Sequence, residues 1–216
     1  MNQAADPFVS QRDRLKAALD AAPDRVRYSY SALVRQQIAS VADDGDVPLP
    51  GLLCLVTAEA FGAESDAALQ PATALSLLGA MARVFEDIAV EGPAGLEREW
   101  GMPRSLNALD AFYALAQSLV IESTAGLEPE KRLKAVGLLD EACHELSLEL
   151  QAGAGASRTL IDAGLALGGL FGNANAVQMA ELSDFAQRPS AGALQSLPIG
   201  VQNALVRAIP YITRRS

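Results

Sequence analysis

Apolar residues recur at intervals of three and four along most of the chain, which is the spacing of one face of an α-helix. The clearest stripe lies in residues 77–88, and others run through residues 106–120 and 133–150. Glycine and proline separate the stripes, as at residues 92–95. No segment alternates apolar and polar residues as a half-buried strand does. The pattern predicts an all-α bundle of about eight or nine helices.

Capping and breaking residues set the expected helix boundaries. Asp6 and Pro7 predict the first start, and Ser65 with Asp66 predicts the start of a long helix that ends near Glu91. The first predicted helix runs from residue 7 to the break at Pro23, and the second runs on to about residue 41, before a loop at 43–46. The third covers residues 48–60 and ends at Gly62. The remaining predicted helices cover residues 65–91, 106–120, 129–150, 160–171, 177–185 and 200–212.

Composition supports this assignment and narrows the possible functions. The chain has 216 residues, which favours one domain over residues 1–216, and half of the residues are apolar while only 5% are aromatic. The net charge of −9 repels nucleic acid, and it would repel a diphosphate unless a metal ion or a basic cluster intervened. Cys54 and Cys143 lie in apolar helical segments and are predicted to be buried free thiols.

Targeting signals are not expected. The first six residues are polar and acidic, unlike a secretory leader. The apolar run at residues 52–56 is far too short to span a bilayer. We therefore expect a cytoplasmic protein without a transmembrane segment.

Two segments carry the resemblance to a known family. Residues 84–92 read V-F-E-D-I-A-V-E-G, and residues 99–116 read E-W-G-M-P-R-S-L-N-A-L-D-A-F-Y-A-L-A. In this order they resemble the first aspartate-rich motif of the trans-isoprenyl diphosphate synthases (the polyprenyl synthetase family), H-D-D-I-x-D, and its W-G-x-x-x-A-I-N-A-G-D-A-L-F-A-L-A segment. The resemblance covers roughly residues 45–195 and implies a single helical domain of the isoprenoid synthase type.

The resemblance also implies a chemistry. Enzymes of this family ionise an allylic diphosphate, so Mg²⁺ must hold the leaving group and neutralise its growing charge. That requires carboxylates on two facing helices and basic side chains for the diphosphate of the second substrate.

The first aspartate motif falls on Glu86, Asp87 and Val90, so two acids remain and the third is lost. Glu91 is acidic but one position displaced. Asp87 and Glu91 are four residues apart and share a helix face, so Glu86, Asp87 and Glu91 could hold one weakly bound Mg²⁺. The alternative interpretation is a solvated acidic helix end in which Arg83 pairs with Asp87.

The basic elements of the family are changed. Asp46 and Leu49 stand where Lys and Arg are expected before the third helix, and neither binds a diphosphate. Arg98, between two glutamates, is the one arginine in the loop after the first motif, and we interpret it as a surface residue. His144 falls in a region that resembles the family's G-Q helix, and a lone histidine there is more often a surface residue than a base.

The second aspartate motif is missing. Residues 185–195 resemble a worn form of the family's F-G-x-x-x-G-x-A-F-Q lead-in, but Ser196, Leu197, Pro198 and Ile199 follow where the aspartates are expected. Pro198 also removes one helical hydrogen bond. The sequence then ends within about one helix, so the resemblance implies a bundle truncated at its C-terminus.

Three functions stay open at this point. The first is a non-catalytic or regulatory subunit that acts with a catalytic isoprenyl diphosphate synthase, or as a homodimer, and needs no cofactor; residues 106–120 could form the contact or belong to the core. The second is an active prenyltransferase or terpene cyclase with Mg²⁺ at Glu86, Asp87 and Glu91. The third is an isoprenoid- or lipid-binding protein that uses a central apolar cavity.

Overall fold

The computed structural model describes residues 6–25, 34–36, 38–39, 49–91, 101–153 and 157–213. Within these ranges the chain is helical and has no strand, so the predicted all-α class is confirmed. The elements are α1 (Val9–Ala21), α2 (Leu49–Ala60), α3 (Leu69–Glu91), α4 (Met102–Ser123), α5 (Pro129–Gln151), α6 (Ser157–Phe171), α7 (Ala176–Gln187) and α8 (Ile199–Thr213), with 3₁₀ turns at Ala22–Arg25 and Ala191–Leu194.

The predicted start of the long helix is wrong by about three residues. Residues 65–68 form a turn, and α3 begins at Leu69, whose N–H donates to the carbonyl of Asp66 at 3.1 Å. The Asp66 carboxylate lies 3.1 Å from Arg14 of α1 instead of capping the helix. A tertiary ion pair has therefore taken the side chain that the sequence offered as a cap. The predicted loop at residues 43–46 lies outside the described residues.

Two helices end in the same left-handed turn. Gly62 has φ +96° and follows α2, where its N–H donates to Glu59 at 2.9 Å and the next N–H, of Ala63, donates to Ala58 at 3.0 Å. These two hydrogen bonds satisfy carbonyls at the end of the helix, and glycine adopts the required φ without steric cost. The predicted end at Gly62 is confirmed. Asn173, with φ 61°, plays the same part after α6.

The core is organised around α2, every residue of which from Leu49 to Ala58 is buried. This helix packs against α6, α3, α8 and α1. A fully buried helix must be apolar on all sides, and the α2 sequence has no charged residue before Glu59. The unusual apolar continuity of this segment is thus explained by neighbours on every face.

Glycines allow α6 to approach α2 very closely. A β-carbon at Gly164 would lie 2.4 Å from the carbonyl oxygen of Pro50, and one at Gly168 would lie 2.6 Å from that of Cys54. A β-carbon at Gly172, just after α6, would lie 2.5 Å from Cβ of Phe61 and 3.2 Å from the carbonyl oxygen of Ala58. The spacing of four keeps the glycines on one face of α6, so the two backbones pack without side chains between them.

The two cysteines differ in exposure. Cys54 is fully buried, as predicted, and burial raises the pKa of its thiol. Cys143 is only half-buried, so the prediction of burial is wrong for it, because α5 is covered on one side alone. Neither forms a disulfide. Among the described helices none combines the length and apolar character that a membrane crossing requires.

Candidate functional site

The acidic end of α3 is the first site that the sequence predicts. The helix runs to Glu91, so Glu86, Asp87 and Glu91 all lie on its last two turns. Glu86 is half-buried, and its Oε2 lies 3.7 Å from Nη1 of Arg83 on the preceding turn. The side chains of Asp87 and Glu91 lie outside the described residues. Arg83 therefore lies beside the first of the predicted metal ligands, and a metal ion at Glu86 would compete with this guanidinium.

The segment expected to carry the second set of aspartates instead packs into the core and leads into a helix. Leu197 is 3% exposed and belongs to the core. The carbonyl of Pro198 accepts the N–H groups of Val201 at 2.9 Å and Gln202 at 3.0 Å. Pro198 thus lies directly before the first residue of α8, where a missing N–H costs nothing, and the expected loss of a helical hydrogen bond is wrong. The N–H of Ser196 donates to Glu181 of α7 at 3.2 Å.

A polar cleft that the sequence reading missed lies between α5, α6 and the end of α7. It is a cavity of about 350 Å³ whose wall includes small apolar residues and Gln187. Its charged residues are Glu141, Glu145, Glu149, Asp162 and Arg158. The three glutamates are spaced by four residues along α5 and so share one face of the helix. This spacing could have been recognised in the sequence as an acidic helix face. The sequence alone did not show that α6 places Asp162 opposite these glutamates.

The carboxylates of this cleft are unequally satisfied. Oε1 of Glu149 accepts the hydroxyl hydrogen of Thr159 at 2.8 Å, while its Oε2 is buried without a hydrogen-bond partner. Burial raises the pKa of Asp162, and the nearby charge of Glu141 raises it further, whereas a hydrogen bond from Ser183 acts in the opposite direction. The unpartnered oxygen of Glu149 is buried, and the raised pKa of Asp162 comes first from partial burial and then from the charge of Glu141.

The charge of the cleft limits what it can bind. Four carboxylates and one guanidinium give an acidic lining, which repels a diphosphate and attracts hydrogen-bond donors and cations. The described residues contain no group of three or more His, Cys, Asp or Glu side chains close enough to hold one metal ion. Glu86 does not line this cleft, so the two acidic regions are separate sites within the part of the chain that the structure describes.

The remaining candidates have surface or core positions. Leu49, at the place of an expected arginine, is 4% exposed in the first turn of α2 and cannot contact an anion. His144 is exposed on α5, in agreement with its interpretation as a surface residue. Asp46 and Arg98 lie outside the described residues.

The α4 stripe is mainly core. Seven residues between 106 and 120 are buried, among them Phe112 and Val120, whereas Leu106 is 42% exposed. Tyr113 borders the buried face, and its hydroxyl lies 3.2 Å from Asp140 of α5. The core interpretation is confirmed for the buried positions. A contact role for the outer face stays a prediction.

Comparison with known proteins places this fold. No protein-family model matches the sequence, and no curated protein matches it either. Among solved structures, a geranylgeranyl pyrophosphate synthetase from the archaeon Geoglobus acetivorans is 18% identical at a TM-score of 0.64, over 81% of this chain and 64% of that one. This chain thus spans less than two thirds of that protein's length.

Two further structures match over nearly their whole length. A farnesyl/geranylfarnesyl diphosphate (FPP/GFPP) synthase from Zymomonas mobilis is 16% identical, with a TM-score of 0.68 over 95% of this chain and 91% of that one. A geranyl diphosphate synthase small subunit from Antirrhinum majus is also 16% identical, with a TM-score of 0.65 over 95% and 92%. The chain has the all-α fold of the isoprenyl diphosphate synthases, as the sequence resemblance implied.

Proposed function

We propose that this chain is a non-catalytic subunit related to the isoprenyl diphosphate synthases, and that it acts with a catalytic synthase in isoprenoid biosynthesis. The observation that carries the proposal is the structural role of residues 196–199. Leu197 fills the core and Pro198 lies directly before α8, in the segment that should supply the second set of metal ligands. Ionisation of an allylic diphosphate needs Mg²⁺ held from two sides, and this chain offers the α3 carboxylates on one.

The charges of the molecule support the same conclusion. The cleft at α5 and α6 is acidic, and the whole chain carries a net charge of −9. The basic residues that would bind a second diphosphate are replaced by Asp46 and the buried Leu49. In the cleft, a substrate with several negative charges would meet four carboxylates against the single guanidinium of Arg158, which gives net repulsion.

The proposed partner is a catalytic isoprenyl diphosphate synthase. The likeness to a protein described as a small subunit, over 92% of that subunit, supports a chain of this size working beside a larger synthase. A homodimer is the alternative assembly. We propose no cofactor for the subunit itself.

Activity and complex formation test the proposal together. The purified chain, incubated with Mg²⁺, a five-carbon diphosphate and geranyl, farnesyl or geranylgeranyl diphosphate, should give no product above a boiled control. Co-expressed with a full-length synthase from its own genome, it should elute as one complex and change the chain length of the product. The Glu86→Gln, Asp87→Asn double variant should change the partner's product equally. Turnover by the chain alone, or failure to associate with any synthase of that genome, would contradict the proposal.

A second candidate is a prenyltransferase or terpene cyclase with a reduced Mg²⁺ site. The observation in its favour is that α3 stays helical through Glu91 and so keeps Glu86, Asp87 and Glu91 on two consecutive turns. These residues would hold the ion, which would supply positive charge to the leaving diphosphate. Product formation that is lost in Glu86→Gln or Asp87→Asn would favour this candidate over the subunit.

A third candidate is an isoprenoid-binding protein, and the packing of α2 against α6 argues against a binding cavity between these two helices. Gly164 and Gly168 bring these two backbones together, which leaves no space for a lipid chain between them. Extraction of the purified protein into organic solvent, followed by mass spectrometry, tests whether it carries an isoprenoid elsewhere.

A further inference from the structure

The beginning and the end of the described chain meet in a small cluster of side chains. Asp6, Phe8 and Arg12 belong to the start of α1, and Tyr211 belongs to the last turn of α8. We propose that these four residues form a terminal clasp that controls how readily α8 opens away from α2, and that α1 loosens with it. The clasp is thus a conformational device that couples the two ends of the chain.

The clasp is centred on one carboxylate. Oδ1 of Asp6 accepts the hydroxyl hydrogen of Tyr211 at 3.2 Å and the backbone N–H of Phe8 at 3.0 Å. Oδ2 lies 2.7 Å from Nε of Arg12, which contributes charge rather than an aligned hydrogen bond. Because one side chain binds both ends, release of Tyr211 also removes a restraint on the first turn of α1.

The aromatic rings add contact area to these polar bonds. The rings of Phe8 and Tyr211 pack edge to face, with centroids 5.9 Å apart and an interplanar angle of 63°. The guanidinium carbon of Arg12 lies 5.3 Å from the centroid of the Tyr211 ring. Phe8 is 4% exposed, so the cluster covers an apolar side chain that would meet water if the clasp opened.

The attachment of α8 makes it suited to opening as a unit. Its inner face is a single stripe of four buried residues, Val201, Leu205, Ala208 and Ile212. This stripe packs against α2 and the Ala191–Leu194 turn. In the link before the helix, Leu197 is buried but Gln195 and Ser196 are exposed, and Ile199 in the first turn is 70% exposed. Elements with one buried face and exposed ends open more readily than the core.

A proline makes the end of α8 depend on the clasp. Pro210 lies inside the helix and has no N–H to donate to the carbonyl of Val206. The last turn, which carries Tyr211 and Ile212, is therefore weakened as a helix. Tertiary contacts must hold it in place, and the clasp supplies the polar ones.

Hydrogen exchange measured by mass spectrometry on the full chain tests the proposal. Tyr211→Phe keeps the ring and removes only the hydroxyl that binds Asp6. We expect exchange in residues 205–213 and 8–12 to become about fivefold faster, as expected for the loss of one hydrogen bond. The matched control is Tyr113→Phe, since the Tyr113 hydroxyl also lies 3.2 Å from a carboxylate, that of Asp140, but on α4 and α5. This control substitution should leave the exchange rates in residues 205–213 and 8–12 unchanged.

Further measurements make the outcome decisive. Pro210→Ala should slow exchange in the last turn and reduce the effect of Tyr211→Phe there, because the helix then holds itself. Faster exchange in α8 without any change in residues 8–12 would overturn the coupling. Equal exchange rates in α8, α2 and α6 in every variant would show that α8 opens only by global unfolding, and the clasp would have no role in it.

Discussion

Asp162 faces three glutamates of α5 across the cleft, and this setting determines its protonation. Burial raises the pKa of its carboxyl, and the charge of Glu141 adds to the effect. An acid whose pKa is raised on folding makes the folded state less stable once it is ionised. The cost is absent below the ordinary value of 3.8, grows as the pH rises from there to the raised pKa, and is complete above that pKa.

The substitution Asp162→Asn should therefore stabilise the protein at pH 7 and give no gain at pH 3.5. We expect a gain of less than about 1 kcal/mol, because a half-exposed carboxylate is screened by solvent. Urea unfolding at the two pH values measures it. The control is Asp110→Asn on the exposed face of α4, which should change stability little at either pH. A loss of stability at pH 7 would contradict the assignment.

The thiols provide a second prediction at this scale. Cys54 is fully buried and Cys143 is half-buried, and burial raises the pKa of both. The thiolate is the reactive form, and it must also meet the reagent. Iodoacetamide should thus modify Cys143 in the native protein, faster as the pH rises, and Cys54 only after unfolding. Peptide mass spectrometry with a Cys143→Ser control distinguishes them. Modification of native Cys54 at a similar rate would contradict its burial.

The contact between α2 and α6 shows how two helices determine each other's sequence. The glycines of α6 are required by the backbone of α2, which leaves no room for a β-carbon at Gly164 or Gly168. The buried surface of α2 in turn excludes charge over its first ten residues. Packing at this closeness is rigid, since neither backbone can shift without moving the rest of the core.

The variant Gly168→Ala should lose about 1–3 kcal/mol, because overpacking forces the backbones apart. The matched control is Gly137→Ala in α5, where a β-carbon meets nothing within 4 Å. Alanine is the better helix former there, so the control should gain up to about 1 kcal/mol. Chemical denaturation measures both. Equal effects of the two substitutions would contradict a close contact between α2 and α6 at Gly168.

At the scale of the whole molecule, the shared fold and the proposed loss of catalysis are separate properties. The helices superpose on synthase structures that are 16–18% identical. The sequence resemblance implies that most of the residues that would bind metal and diphosphate in that fold are replaced in this chain. Packing needs only apolar side chains of suitable volume, whereas ionisation of a diphosphate needs particular charged groups, so a fold can persist where a catalytic function is lost.

A single domain is expected to unfold as one cooperative unit. Helix content followed by circular dichroism and the fluorescence of the single tryptophan, Trp100, should give coincident urea transitions. Two separated transitions would contradict the assignment of residues 1–216 to one domain. The same measurement on the proposed complex with a synthase should show a higher midpoint, because binding to the folded state stabilises it.

Local features were readable from the amino-acid order, because periodicity and turn residues act over a few positions. The helical class, the end of α2 at Gly62 and the acids at the end of α3 all follow from neighbours within about five residues. Only the folded chain decided what depends on distant contacts. Arg14 took Asp66 from the start of α3, α6 placed Asp162 opposite the α5 glutamates, and Tyr211 reached Asp6 across 205 positions. No local pattern encodes such pairs, since they exist only where packing brings separate helices together.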